Sequence, residues 1–245
     1  MPEQQPISAD QQTLRRDGNY WCRGFMSVEH DLQLVAPFSP TILKARMSPD
    51  MIATLNNQAD AIRSSADQVD ARDWSRHLAG VVSHEINVTD LIRATPAFSN
   101  FLFDVARIYA YRCENALLHF TDYASTDQLR DTRLRIDIKE GWINDMLAGD
   151  YNPVHFHQGC HFSCVGFLAL PPDYEAEFVA GKTQQNMAGC LQFIDSRSAV
   201  GLKNLFTVKP AVGDFYLWPS WMLHCVYPFK STGIRRSIAV NLALT

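Results

Sequence analysis

The chain has 245 residues, 47% hydrophobic and 20% charged, a balance that allows a sizeable buried core and places it among ordinary globular proteins. Its net charge of -4 at pH 7 argues against a dedicated nucleic-acid binder, which carries a basic face to neutralise phosphates. No apolar run approaches the roughly 18 residues of a membrane span, and the opening "MPEQQPISADQQTLRRDGNYW" lacks the apolar core of a secretory signal, so the expectation is a cytoplasmic protein without membrane contact.

The cysteines, Cys22, Cys113, Cys160, Cys164, Cys190 and Cys225, form no C-x-x-C pair and are too sparse for a disulfide-stapled fold. Reduced thiols are expected. A structural zinc site is disfavoured because zinc ribbons and fingers use two tight ligand pairs, and only one tight cluster of candidate ligands is present.

Residues 1–35 are polar and are expected to form an irregular lead-in, with a single domain over 36–245. Within it the helical support spans 48–118 and the strand-rich core 130–245. "FSPTILKARM" (38–47) has the composition of a first strand. A helix is predicted over 48–68, with Ser48 as N-cap and Pro49 in the first turn. The stretch "DWSRHLAGVVSHEIN" (73–87) reads as an extended loop or edge strand. Over 95–113, Phe98, Phe101, Leu102, Val105, Ile108 and Tyr109 recur at three-and-four spacing, which predicts a helix whose apolar stripe packs on the core.

From about residue 133 the period becomes two: Leu134, Ile136 and Ile138 alternate with Arg133, Arg135, Asp137 and Lys139. Further strands are predicted at 153–157, 163–170, 190–194, 205–209, 214–218, 223–227 and 235–243, separated by Gly, Pro, Asn and Asp. Short strands in succession without intervening helices indicate a sandwich or jelly roll, and helices placed before them make the class α+β. Residues 171–189 interrupt the strands and are expected to form a mobile loop at the barrel mouth.

The chemistry concentrates in "NPVHFHQGCHFS" (152–163). His155 and His157 are two apart on a predicted strand, so both imidazoles turn to the same face. A single histidine there would be ordinary packing; two on one face, with His224 on a later strand, suit a facial metal triad that leaves the far side of the ion open. His161 lies beyond Gly159 and its direction is not set by the period. On the last strand Arg235 and Ser237 share a face, where a guanidinium fork beside a hydroxyl can hold a carboxylate. Arg236 faces the other way.

The order H-x-H, a long gap, then H and R-x-S resembles the iron(II)- and 2-oxoglutarate-dependent oxygenases. More narrowly, "GWINDMLAGDYNPVHFHQGCHFSCVGFLALP", "GCLQFIDSR", "FTVKPAVGDFYLWPSWMLHCVYPF" and "RRSIAVNLAL" resemble a bacterial and phage group of that family. The resemblance implies a distorted double-stranded β-helix, or cupin-like jelly roll, buttressed by N-terminal helices. It implies Fe(II) on His155, His157 and His224, and 2-oxoglutarate held by Arg235 and Ser237 with Asn144. The activity implied couples oxidative decarboxylation of 2-oxoglutarate to hydroxylation, or a related C–H oxidation, of a small-molecule or peptidyl substrate. Trp218 and Trp221 are candidates for the substrate wall. One departure stands out: the wider superfamily has H-x-D or H-x-E, and here His157 occupies the carboxylate position.

Two other readings remain open on the sequence. A cupin-type three-histidine metalloenzyme, a dioxygenase or isomerase without 2-oxoglutarate, would use the same histidines but has no need of Arg235-x-Ser237. A non-catalytic jelly-roll binding module would leave the histidines incidental. The sequence also leaves open whether the chain forms a homo-oligomer.

Overall fold

The computed structural model describes residues 20–21, 32–35, 41–75, 80, 85–112, 135–178, 186–196 and 204–245. Most of the lead-in, both Cys22 and Cys113, the centre of the 171–189 loop and the tail of the helical support beyond 112 lie outside the described residues.

Strands β1 (Tyr20–Trp21) and β2 (Leu32–Val35) fall in the stretch expected to be irregular; β2 pairs antiparallel with β3 (Ile42–Arg46), and β1 with β2. Helix α1 (Pro49–Arg63) begins as the sequence predicts: the Ser48 hydroxyl accepts a hydrogen bond from the Met51 amide, and Pro49 occupies the first turn, where its missing N–H costs nothing. The predicted single helix over 48–68 is two. The chain leaves helical geometry at Ser65 (φ -125°, ψ 112°) and resumes in α2 (Ala66–Ala71). Beside this break the Ser64 hydroxyl donates to the Ala61 carbonyl, the kind of local bond by which serine competes with a continuing helix.

Strand β4 (Glu85–Asn87), short helix α3 (Thr89–Ala94), which the sequence reading did not contain, and α4 (Pro96–Arg112) follow. The stripe predicted on α4 packs as expected: Phe98, Phe101, Leu102, Val105 and Tyr109 are buried. They meet Leu43, Phe215, Ile238, Val240 and Leu242 from the sheet. No helix among the described residues is long and apolar enough to cross a membrane.

The rest is β: β5 (Ile136–Met146), β6 (Asn152–His155), β7 (Phe162–Ala169), β8 (Leu191–Ile194), β9 (Leu205–Val208), β10 (Asp214–Pro219), β11 (Leu223–Val226) and β12 (Arg235–Leu244). The large sheet runs β1-β2-β3-β10-β7-β12-β5-β4 and the small one β6-β11-β8-β9. The segment from β5 to β12 thus passes back and forth between two facing antiparallel sheets, with one hairpin, β8–β9, inside the small sheet; this is the double-stranded β-helix, or jelly roll, with the helices on the outer face of the large sheet. Phe167, Leu191, Phe193, Tyr216, Trp218 and Met222 fill the space between the sheets.

A bulge sets which side chains reach that space. On β12, Asn241 pairs with Glu140 but Leu242 pairs with Ile138, leaving Lys139 as an extra residue. The alternation therefore inverts along β5. Before the bulge Ile138 packs in the helix-side core; after it Ile143 does, while Trp142, Asn144 and Met146 line the cavity between the sheets.

On the helix side Asp145 accepts from Arg236 through both oxygens, at 2.7 and 2.9 Å, and from Arg63 of α1 at 3.0 Å. Arg236 also donates to Asp60 at 2.7 Å. With Asp145 and Arg236 only 3% and 6% exposed, this network ties α1 to the sheet directly behind the cavity.

Candidate metal centre

β6 begins after a turn in which Gly149 takes φ +90° and the Asp150 carboxylate accepts from the Leu147 amide. The strand then pairs with β11 so that His155 stands directly opposite His224. His157 lies just past the end of β6, where its backbone amide donates to the Ser220 carbonyl at 2.9 Å. The structure brings all three sequence-predicted histidines together. One ring nitrogen from each lies within 4.8 Å of the others. Ring centroids are 4.2 Å apart for His155 and His224, 5.1 Å for His155 and His157, and 5.2 Å for His157 and His224.

Two of the rings have a defined tautomer. His155 Nδ1 lies 2.7 Å from the Pro153 carbonyl and His224 Nδ1 lies 2.9 Å from the Met222 carbonyl. A carbonyl only accepts, so each Nδ1 carries the proton and each Nε2 presents a bare lone pair. His157 lacks this anchor; its Nδ1 has the Asn241 amide nitrogen 3.4 Å away. That amide is itself fixed, donating to Glu140 at 2.7 Å and accepting from Ser163 at 2.9 Å.

Burial depresses the basicity of all three rings. It is the main cause at His155, at His224, which falls well below the ordinary histidine value, and at His157, pushed down to about 4 with repulsion from His155 as the second cause. All three are therefore neutral at pH 7, the state a metal ligand requires. Their convergence forms a site able to hold a metal ion. Among the described residues no carboxylate joins it.

Arg235, Ser237 and Asn144 line the same cavity. Ser237 stands opposite Asn144, and Arg235 opposite Met146, in the β12–β5 ladder. Arg235 is 1% exposed. It donates to the Gly189 carbonyl at 3.0 Å and meets the Met146 sulfur at 3.3 Å, with its guanidinium over the Phe167 ring. None of these partners is anionic, and burial lowers the pKa of Arg235 to about 10. A buried cation without a carboxylate is costly, which makes this end of the cavity receptive to an anion.

Trp218 lines the cavity, packs edge-on against His224 at 5.0 Å, and leaves its indole N–H buried without an acceptor. Trp221 does not join it. β10 ends at Pro219, so strand alternation no longer governs position 221, and Trp221 is 38% exposed and outside the cavity lining. His161 also points elsewhere, its Nδ1 accepting from the Leu244 amide. The sequence reading missed Asn241, although its place two residues beyond Ala239 on the cavity face of β12 is a legible signal. It also missed Asn152 and Glu85, for which a strand edge of uncertain boundaries offered none.

Residues 140–241 match the family model described as "Putative 2OG-Fe(II) oxygenase". No curated protein matches the sequence. Among solved structures, a 2OG-Fe(II) oxygenase family oxidoreductase from Burkholderia pseudomallei is 16% identical with a TM-score of 0.34, covering 54% of this chain; the chain spans 58% of that protein. The collagen prolyl hydroxylase of Paramecium Bursaria Chlorella virus-1 is 11% identical, with a TM-score of 0.46 and coverage of 82% and 94%. HygX from Streptomyces hygroscopicus, solved with nickel and 2-oxoglutarate bound, is 11% identical, with a TM-score of 0.47 and coverage of 84% and 83%. The family match thus falls on the jelly-roll segment, from within β5 to within β12, which is similar to the 2OG-Fe(II) oxygenase family over residues 140–241.

Proposed function

We propose that the protein is a non-haem iron oxygenase that uses 2-oxoglutarate to oxidise a C–H bond of an organic substrate, a small molecule or a peptidyl side chain. His155, His157 and His224 hold Fe(II), Arg235 and Ser237 take the distal carboxylate of 2-oxoglutarate, and Asn144 contacts the same molecule. The observation that carries this reading is Arg235, a fully buried guanidinium with no anionic partner among the described residues, which lines the same cavity as three neutral imidazoles. Three uncharged ligands leave the full 2+ on the ion, so a dianionic co-substrate spanning ion and guanidinium meets positive charge at both ends.

The residues fit these groups. Two bare Nε2 atoms are held in place by backbone carbonyls, and the cavity shared by the imidazoles and Arg235 is lined on its apolar side by Trp218, Leu191 and Val165. Iron with 2-oxoglutarate and O₂ supplies the oxidising chemistry; the protein orients the co-substrate through Arg235 and keeps the imidazoles neutral and aligned. The reading also treats residues 36–245 as one catalytic domain, with 1–35 as its lead-in.

One observation favours a second reading. The donor set is three imidazoles with no carboxylate, and on the ligand atoms alone it is better supported as a three-histidine metalloenzyme, a dioxygenase or isomerase, that does without 2-oxoglutarate. Arg235 separates the two, since that chemistry leaves its buried charge unanswered. A non-catalytic binding module accounts for neither the aligned imidazoles nor the guanidinium.

Anaerobic titration of the Fe(II)-loaded protein with 2-oxoglutarate tests the choice. A visible charge-transfer band that saturates at one equivalent is the expected result. Stoichiometric iron without such a band selects the second reading.

A further inference from the structure

One wall of the cavity carries buried polar atoms of which the chemistry above uses only the side chain of Asn144. β4 lies along the outer edge of β5 with Glu85 opposite Asn144, and directly opposed residues share one face of a sheet. Glu85 therefore stands on the same sheet face as Asn144, beside the cavity and just outside the residues that line it. It is 2% exposed, and neither carboxyl oxygen has a hydrogen-bond partner among the described residues. The side-chain oxygens of Asn144 and of Asn152, the latter on the facing sheet, are buried and equally unsatisfied, and both residues line the cavity. A backbone approach bounds this end: a Cβ at residue 80 would lie 2.5 Å from the Tyr151 carbonyl oxygen and 3.0 Å from Asn152 Oδ1, so only Gly80 fits there.

A buried polar group without a partner costs about 1–3 kcal/mol, and such groups call for a specific explanation. Among the described residues the orphaned atoms of Asn144 and Asn152, and of Glu85 when ionised, are acceptors; the one orphaned donor is the Trp218 indole N–H, beside His224. No lysine or arginine among the described residues pairs with Glu85, while Asp73 and Glu140 bear on it with like charge; together with burial, the larger cause, they push its carboxyl up to about 9. A ligand that completes this wall brings hydrogen-bond donors and positive charge.

We infer that Glu85, with the amide oxygens of Asn144 and Asn152, forms a subsite for a protonated amine, so that the substrate received in this cavity is a cationic, amine-bearing molecule. This rests on the proposed function only in taking the cavity's second ligand to be the substrate. In the empty protein Glu85 is a neutral acid. An entering ammonium displaces its proton to solvent and leaves a carboxylate–ammonium pair, with the remaining ammonium hydrogens donated to the two amide oxygens.

The test uses the metal-free protein at neutral pH, so that it reads independently of iron and 2-oxoglutarate. n-Butylammonium chloride and n-butanol are titrated in turn, following the side-chain ¹⁵N amide signals of Asn144 and Asn152 and the protons released. Saturable shifts with the ammonium and about one proton released per amine bound are expected, with no saturable response to the alcohol. Glu85→Gln keeps the neutral shape of the acid; in it, amine affinity falls by roughly tenfold or more and proton release disappears. Asn152→Ala serves as a second variant, with weakened binding and proton release retained. No amine binding by the natural protein, equal binding of n-butanol, or undiminished binding in either variant overturns the inference. A 2-oxoglutarate charge-transfer band in a protein that fails the amine test leaves the proposed function standing; amine binding without that band leaves the subsite standing alone.

Discussion

His155 and His224 face each other across the β6–β11 ladder with ring centroids 4.2 Å apart, and each is pinned by an Nδ1–H bond to the carbonyl two residues before it. The same short-range device on two strands aims both Nε2 atoms at one point. His224, at 4% exposure, cannot be replaced by a neighbour. His224→Ala is expected to abolish stoichiometric Fe(II) binding while the fold survives, measured by metal analysis after desalting alongside circular dichroism. Full metal affinity in that variant removes His224 from the centre.

Arg235→Ala should leave Fe(II) affinity unchanged and weaken 2-oxoglutarate. Breaking a buried charge pair costs about 2–5 kcal/mol, on the order of 30- to 5,000-fold in affinity. Charge-transfer titrations of the two iron-loaded proteins read this directly. Equal co-substrate binding contradicts the assigned role.

His157 is the least anchored of the three rings, with only the Asn241 amide nitrogen at 3.4 Å from its Nδ1. His157→Asp is expected to retain iron. One negative ligand lowers the charge on the ion, so the dianion should bind more weakly than in the natural protein, as the same titration reports. Loss of iron with the fold intact means that the site requires an imidazole there.

Acid should destabilise the metal-free protein through these rings. Their folded pKa values lie below the ordinary histidine value of 6.5, so unfolded chains take up protons first as the pH falls. The stability they contribute is complete above 6.5 and is lost on descending toward the folded values, about 4 for His157 and well below the ordinary histidine value for His224. Denaturant midpoints of the metal-free protein should fall over that window, and Fe(II) should offset the loss at its upper end. A flat profile between 6.5 and 4 denies that the rings are held neutral.

Behind the cavity, Asp145→Ala removes the acceptor shared by Arg236 and Arg63. Leaving Arg236 buried without its main partner should cost about 3–5 kcal/mol in unfolding free energy. Urea denaturation at unchanged slope measures it. A loss below about 1 kcal/mol means that Asp60 and Asn56, whose side-chain oxygens also accept from Arg236, suffice to hold the guanidinium.

The sequence by itself determined the two-residue period of the strands, the apolar stripe of α4, the capped start of α1, and the candidates His155, His157, His224, Arg235, Ser237 and Asn144. Apart from Asn144, which only the family resemblance singled out, these follow from patterns in the sequence: residues two apart on a strand share a face, and residues three or four apart share a helix side. What only the tertiary structure decided depends on pairing between distant segments. The bulge at Lys139 is defined by its partner β12, yet it decides that Trp142 and Asn144, not Ile143, face the cavity. Glu85 becomes a buried, unpaired acid because β4 docks beside Asn144, and Trp221 leaves the wall because β10 stops at Pro219. Lone-pair direction at His155 and His224 and the missing counter-charge at Arg235 likewise come from packing, since the surroundings of a side chain are assembled from many parts of the chain at once.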